Sequence, residues 1–265
     1  NTVQRLITLW LVALCLGVTS EAATPKIAII IDDIGYQRAD LKLIALPHAL
    51  TFAVLPHTPY GNKAAKQAFL QQKDVMLHMP MQASNGKAPG PGALTGNMSK
   101  QQVQQTLQDA LADIPYAIGI NNHMGSYYTE LGEPMAWTME YLQQRQLFFV
   151  DSLTTPQSTA KKYAGQYGVT LLARHVFLDN ELTEAALERQ FKQLLQIARR
   201  HQVAIAIGHP YPETLEYLER VLPLMEEAGI EVVPVSTLLP DSGLRAAGQR
   251  QPVMGEGAVE GDARS

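Results

Sequence analysis

Aspartates and histidines recur just after apolar runs along this chain. Residues 26–31 (KIAIII) lead into Asp32-Asp33-Ile34-Gly35, 50–55 (LTFAVL) into Pro56-His57, and 75–77 into His78-Met79-Pro80-Met81. Further on, 117–120 lead into Asn121-Asn122-His123-Met124, and 147–150 (LFFV) into Asp151-Ser152. Arg174 follows 169–172 one residue on, and Gly208-His209-Pro210 follows 203–207 (VAIAI). Apolar runs of this kind read as strands buried on both faces. Parallel α/β folds bind their ligands at the carboxyl ends of such strands. Titratable groups at one end of so many strands therefore converge on one cleft.

Each residue alone has a plainer reading. Asp32 and Asp33 could cap a helix or make a turn, His78 and His123 could be structural, and His209 before a proline could be a turn residue. His57 reads as a rim or structural residue, and His48, His175 and His201 sit off the strand ends. The joint pattern is what carries weight: two acids and three histidines make a metal site with a base and an acid. A turn just past a strand can aim two adjacent carboxylates inward, one toward a metal and one toward the attacking water. Two histidine nitrogens and one carboxylate leave open positions on a divalent ion such as zinc. The second carboxylate then serves as general base and a histidine opposite it as general acid.

The elements that must position these groups alternate. Helical patterns cover 62–71, 100–112, 134–145, 159–167, 183–201 and 213–228, and a last apolar run lies at 231–235. Ser99 and Thr183 are the expected N-caps and Gly229 the residue closing the last helix. Strand–helix alternation implies an α/β fold with a mainly parallel sheet. Chemistry at nearly every strand end favours an irregular barrel over a doubly wound sheet. The Gly- and Pro-rich segment 84–97 (SNGKAPGPGALTGN) is expected to be a lid.

Composition bounds the partners. Of 265 residues 17% are charged and 46% hydrophobic, with a net charge of −4. Nothing there gives a basic footprint for nucleic acid or an anionic membrane. A single cysteine excludes a disulfide scaffold and a thiolate-rich metal site, leaving the seven histidines as ligand candidates. Residues 1–24 carry Arg5, an apolar run over 6–18 and small residues at Ala22 and Ala23. They read as a secretory signal peptide, too short for a comfortable membrane span of about 20 residues. The expectation is an exported, periplasmic protein with no membrane contact after its removal, one domain over 25–240, and a disordered tail over 241–265.

The series IAIIIDDIGY, LTFAVLPHTP, VMLHMPMQ, GINNHMGS, FFVDS, FLDN and AIAIGHPYPETL resembles the divergent polysaccharide deacetylases, the YibQ-like group. That group is a remote branch of the NodB-type carbohydrate esterases. The resemblance covers about residues 26–240 and implies a deformed (β/α) barrel of about seven mainly parallel strands. It implies Asp32 as catalytic base, His209 as general acid, and Asp33 and His78 as metal ligands. Asp151, with Ser152 beside it, falls where the family supports its site. Gln82 stands where ordinary members have their second metal histidine, and Asn122-His123-Met124 replaces their Arg-Pro-Pro segment. His123 is therefore expected as the third ligand and Arg174 as a stand-in for the lost arginine, with Asn122 in a supporting place.

The activity so implied is removal of N-acetyl groups from an amino-sugar glycan of the cell envelope, with one divalent ion, zinc first. The alternative is a non-catalytic envelope protein that keeps fold and metal site to bind a glycan or a partner.

Overall fold

The computed structural model describes residues 23–240. The expected tail, and all but the last two residues of the expected leader, lie outside the described residues. Strands β1 (Lys26–Ile34), β2 (Thr51–Val54), β3 (Val75–Met81), β4 (Gly119–Met124), β5 (Phe148–Asp151), β6 (Leu171–Ala173), β7 (Val176–Phe177), β8 (Val203–Gly208) and β9 (Glu231–Val232) form one sheet. Helices α1 (Asp40–Ile44), α2 (Gly61–Leu70), α3 (Lys100–Asp113), α4 (Gly132–Gln144), α5 (Ala160–Tyr167), α6 (Glu184–His201) and α7 (Pro212–Val221) connect them. Ser99 caps α3 through a capping box with Gln102, and the Thr183 side chain accepts from the Ala186 amide at the start of α6.

Every ladder is parallel, in the order β6-β5-β4-β3-β2-β1-β8-β7, with β9 on the start of β1. The two ends of this order, β6 and β7, are separated in the chain only by Arg174 and His175. They are two halves of one extended segment that changes partner. Arg174 N donates to Asp151 O at 3.0 Å on the β5 side, and His175 N to Ile205 O at 2.8 Å on the β8 side. That switch curls the sheet into a deformed barrel, seven strands round when β6 and β7 are taken as one.

Alternation along the strands sorts the core. Ile27, Ile29 and Ile31 pack outward with helix residues such as Val103, Leu107 and Leu194. Ala28, Ile30, Ala53, Met76, Phe148, Val150, Ile205 and Ile207 fill the inside. Val235 and Leu239, from the last short helical turn and the residue after it, join this inner cluster. They plug the amino-terminal end, where Val235 N donates to Thr51 Oγ1 at 3.0 Å and Ser236 N to Asp74 Oδ2 at 2.8 Å. Gly119 is required inside, because a β-carbon there would lie 2.6 Å from the Phe148 ring.

Several elements differ from the sequence expectation. The helix expected over 213–228 stops at Val221 and gives way to a 3-10 turn at Leu222–Leu224, because Pro223 has no amide proton for a longer helix. The run at 231–235 pairs only over Glu231–Val232. The short α1 and β7 carry too few residues to show a period. Asp32, Asp33, His78 and His123 lie within β1, β3 and β4 rather than beyond them, and His209 directly follows β8.

Candidate metal centre

The inner face of the barrel continues directly into the site. Asp32 follows Ile30 by two residues, His78 follows Met76, Asn121 and His123 follow Gly119, and His209 follows Ile207. Period two alone would turn Asp33 outward. Its backbone prevents this: Asp33 has φ 58° and the β1–β2 register slips between Ile31 and Ile34. Three steps on β1 face two on β2, a bulge that aims both carboxylates inward and lets Ile34 rejoin the outer core. Left-handed backbone costs an aspartate about 1 kcal/mol, less than it costs a β-branched residue.

Three side chains then meet. Asp33 Oδ1 lies 3.1 Å from His78 Nε2 and 2.9 Å from His123 Nδ1, and the two nitrogens lie 3.1 Å apart. Donor atoms bonded to one ion at about 2.0–2.1 Å stand roughly 3 Å apart, so this triangle fits a divalent cation. Proton placement agrees. Asn121 faces Asp32 Oδ1 with its amide nitrogen at 2.8 Å, so its oxygen faces His78. His78 must then donate from Nδ1 to Asn121 Oδ1 at 2.8 Å, which leaves Nε2 a free lone pair toward Asp33 when the ring is neutral.

Asp32 and His209 flank the triangle. Asp32 is buried, and burial raises its pKa despite the charges of His78 and His209 and the bond from Asn121. Its Oδ2 lies 3.5 Å from His78 Nε2. Asp33 is also raised by burial, but bonds from His123 and His78 outweigh this and hold it well below the usual carboxylate range. For His78 burial acts downward, and Asp32 and Asp33 reverse it so that the ring is raised. His209 follows the same logic: burial lowers it, while Asp179, Asp32 and Asp33 bring it up to about 9.

Asp179 fixes the His209 ring. Its Oδ1 accepts from His209 Nδ1 at 2.9 Å, and its Oδ2 from the His209 amide at 2.6 Å and from Thr214 Oγ1 at 2.8 Å. The other ring nitrogen, Nε2, points to the site, 4.0 Å from Asp33 Oδ2. Asp179 and Asn121 were not singled out from sequence. Asn121 shares a strand face with His123, two residues on, and alternation could have found it. Asp179 follows a two-residue strand that shows no period.

The supporting residues expected from sequence have other partners. Asp151 accepts from the Leu153 amide at 2.9 Å and Ser158 Oγ at 2.7 Å. Asn122 Oδ1 accepts from the Ser152 amide at 2.9 Å, and Ser152 Oγ donates to Asn122 O at 3.0 Å. Arg174 donates to Ser152 O at 2.7 Å and Leu153 O at 3.1 Å. Gln82 clamps the loop after β3: its Oε1 takes the Gly96 amide at 2.8 Å, and its backbone pairs with Leu94 and the Tyr127 and Tyr128 amides. The segment 84–97 is thus pinned at its base and runs along the β1–β2 rim, where a β-carbon on Gly92 would come within 2.8 Å of His57. No helix among the described residues is long and apolar enough to cross a membrane.

Comparison with known proteins agrees with this architecture. The family described as divergent polysaccharide deacetylase matches residues 29–239. An uncharacterized protein of Haemophilus influenzae is 40% identical over 217 residues, 82% of this chain and 77% of the relative. Uncharacterized protein YibQ of Escherichia coli K12 is 35% identical over 211 residues, 79% of this chain and 66% of that protein. Among solved structures, uncharacterized protein ATU2773 of Agrobacterium tumefaciens C58 superposes with a TM-score of 0.78 at 24% identity, over 83% of this chain and 91% of its own. A mutant of BA3943, a CE4-family pseudoenzyme with restored enzymatic activity, gives 0.52 at 16% identity, over 82% of this chain and 68% of its own. These two structural likenesses speak to fold alone.

Proposed function

Given that this chain belongs to the divergent polysaccharide deacetylases, we propose that it is a metal-dependent hydrolase that removes N-acetyl groups from an amino-sugar glycan. The observation that carries the reading is the Asp33–His78–His123 triangle with the buried Asp32 carboxylate and the Asp179-bonded His209 ring beside it. Asp33, His78 and His123 would hold one divalent ion, with zinc the best match to two imidazoles and a carboxylate. Such an ion polarises a carbonyl and makes water easier to deprotonate.

The chain's own groups do the rest. Asp32 accepts a proton from the attacking water at Oδ2, the oxygen that Asn121 does not occupy. A carboxyl made more basic by burial suits that task. As the carbon–oxygen bond forms and the carbon–nitrogen bond breaks, His209 gives the Nε2 proton to the departing amine. Asp179 keeps the Nδ1 proton and orients the ring throughout. Acetic acid, which ionises to acetate in solvent, and the free amine leave, and the proton on Asp32 passes to His209, which restores both groups. With residues 1–24 read as a leader, the substrate belongs to the cell envelope and the enzyme to the periplasm.

The test is acetate release from N-acetylated chito-oligosaccharides and peptidoglycan fragments by the zinc-loaded protein. Release that disappears in Asp32→Asn and His209→Ala supports the reading. Tight glycan binding without any release would favour the non-catalytic alternative.

A further inference from the structure

One cation at the mouth of the barrel makes no ion pair among the described residues. Arg174 lies where the chain passes from β5 to β8, partly buried, with its guanidinium 3.7 Å above the Phe177 ring. Phe177 packs on the inner core and is stacked in turn against His209, with ring centroids 6.3 Å apart. Tyr211, 43% exposed, follows His209 at 5.8 Å. Arg174, Phe177, His209 and Tyr211 thus form one wall beside the metal centre. Nε and one Nη2 proton bind the Ser152 and Leu153 carbonyls, which fixes the guanidinium plane.

The outer fork, Nη1 with the second Nη2 proton, has no partner among the described residues. No carboxylate pairs with Arg174 there either. Asp151 offsets some of the charge, but both its oxygens are taken by Leu153 and Ser158. Holding a partly desolvated, unpaired guanidinium is costly, and a planar free fork matches a carboxylate in two parallel hydrogen bonds.

We propose that Arg174 is a subsite for a carboxylate on the glycan, so that the preferred substrate is an acidic amino-sugar polymer. This rests on the glycan reading of the site given above. Phe177 holds the guanidinium in place, and the exposed Tyr211 ring offers a flat apolar face to a neighbouring sugar.

The experiment is calorimetric binding to the zinc-loaded Asp32→Asn protein, which keeps an acceptor for Asn121 and does not turn the ligand over. The ligands are N-acetylglucosaminyl-N-acetylmuramic acid, the same disaccharide with its carboxyl amidated, an N-acetylhexosaminuronate disaccharide, and neutral chitobiose. Either acidic disaccharide should bind about 10- to 100-fold more tightly than the amidated and neutral ones. Which acid gains more distinguishes a lactyl from a ring carboxylate. Arg174→Gln should erase the preference while leaving neutral binding within about twofold, and Arg174→Lys should keep part of it. Equal binding of all four ligands overturns the subsite and leaves the glycan reading standing. Absence of binding to every glycan overturns both. The amidated ligand needs no substitution in Arg174, so the comparison survives if Arg174→Gln does not fold.

Discussion

Replacing Asn121 with leucine keeps most of the side-chain volume and removes both of its hydrogen bonds. Asn121 is fully buried, donates to Asp32 at 2.8 Å and accepts from His78 at 2.8 Å. The substitution leaves the His78 Nδ1 proton and one Asp32 oxygen without partners, at about 1–3 kcal/mol each. Because Asp32 can relax by binding a proton, the expected loss is about 3 kcal/mol. For a domain of about 200 residues that lowers Tm by about 10 °C. His78 also loses the bond that fixes its ring, so zinc affinity should fall about 10- to 100-fold. Thermal unfolding with chelator gives the first quantity, and competition against a chromophoric zinc chelator gives the second. Asn121→Asp sharpens the test. Its carboxylate still accepts from His78 but meets Asp32 without a proton, so zinc affinity should hold while stability at pH 7 falls. That loss should recover as the pH is lowered and the acid pair takes up a proton. If Asn121→Leu shifts neither Tm nor zinc affinity, the bridge has no energetic role and the proton placement built on it is wrong.

Other perturbations separate the remaining parts. His209 has a folded-state pKa of about 9 against 6.5 unfolded, so its proton stabilises the metal-free fold fully below pH 6.5. That stabilisation, up to about 3 kcal/mol, should vanish as pH rises through 9, and Asp179→Asn should flatten the change in urea midpoints between pH 6 and 9.5. Gly119→Ala pushes a methyl into the Phe148 ring and should cost about 1–3 kcal/mol in denaturant unfolding, with no change in zinc affinity. Zinc at about 100 times its Kd should stabilise the protein by about 2.7 kcal/mol, and Asp33→Ala should abolish the rise in Tm.

The convergence of the candidate site's side chains was largely legible because chemistry-bearing residues follow apolar runs at strand ends. Asp32, His78, His123 and His209 all continue the inner face of their strands, so one rule finds four of them. Asp33 breaks that rule, and its inward direction depends on a bulge and a left-handed backbone that its sequence neighbours do not announce. The third candidate ligand, His123, is legible from the resemblance, since Gln82 cannot complete the set and His123 lies on the neighbouring strand. Asp179 stands in the FLDN segment but carries no role from sequence, because the two-residue β7 before it shows no period. Barrel closure was hidden for a related reason: β6 and β7 are one segment whose change of partner is set by tertiary packing. Arg174 is legible as a titratable group past an apolar run, whereas its orientation depends on the Phe177 ring beneath it and two loop carbonyls. The helix past Val221 was overextended because the apolar period continues through Pro223.

The central claim is that Asp33, His78 and His123 share one divalent ion. The most direct measurement is an anomalous difference map at the zinc edge from crystals of the protein grown with zinc. A single strong peak about 2.0–2.2 Å from Asp33 Oδ1, His78 Nε2 and His123 Nδ1 is the predicted result. Zinc bound at other residues, with no peak inside that triangle, would contradict it.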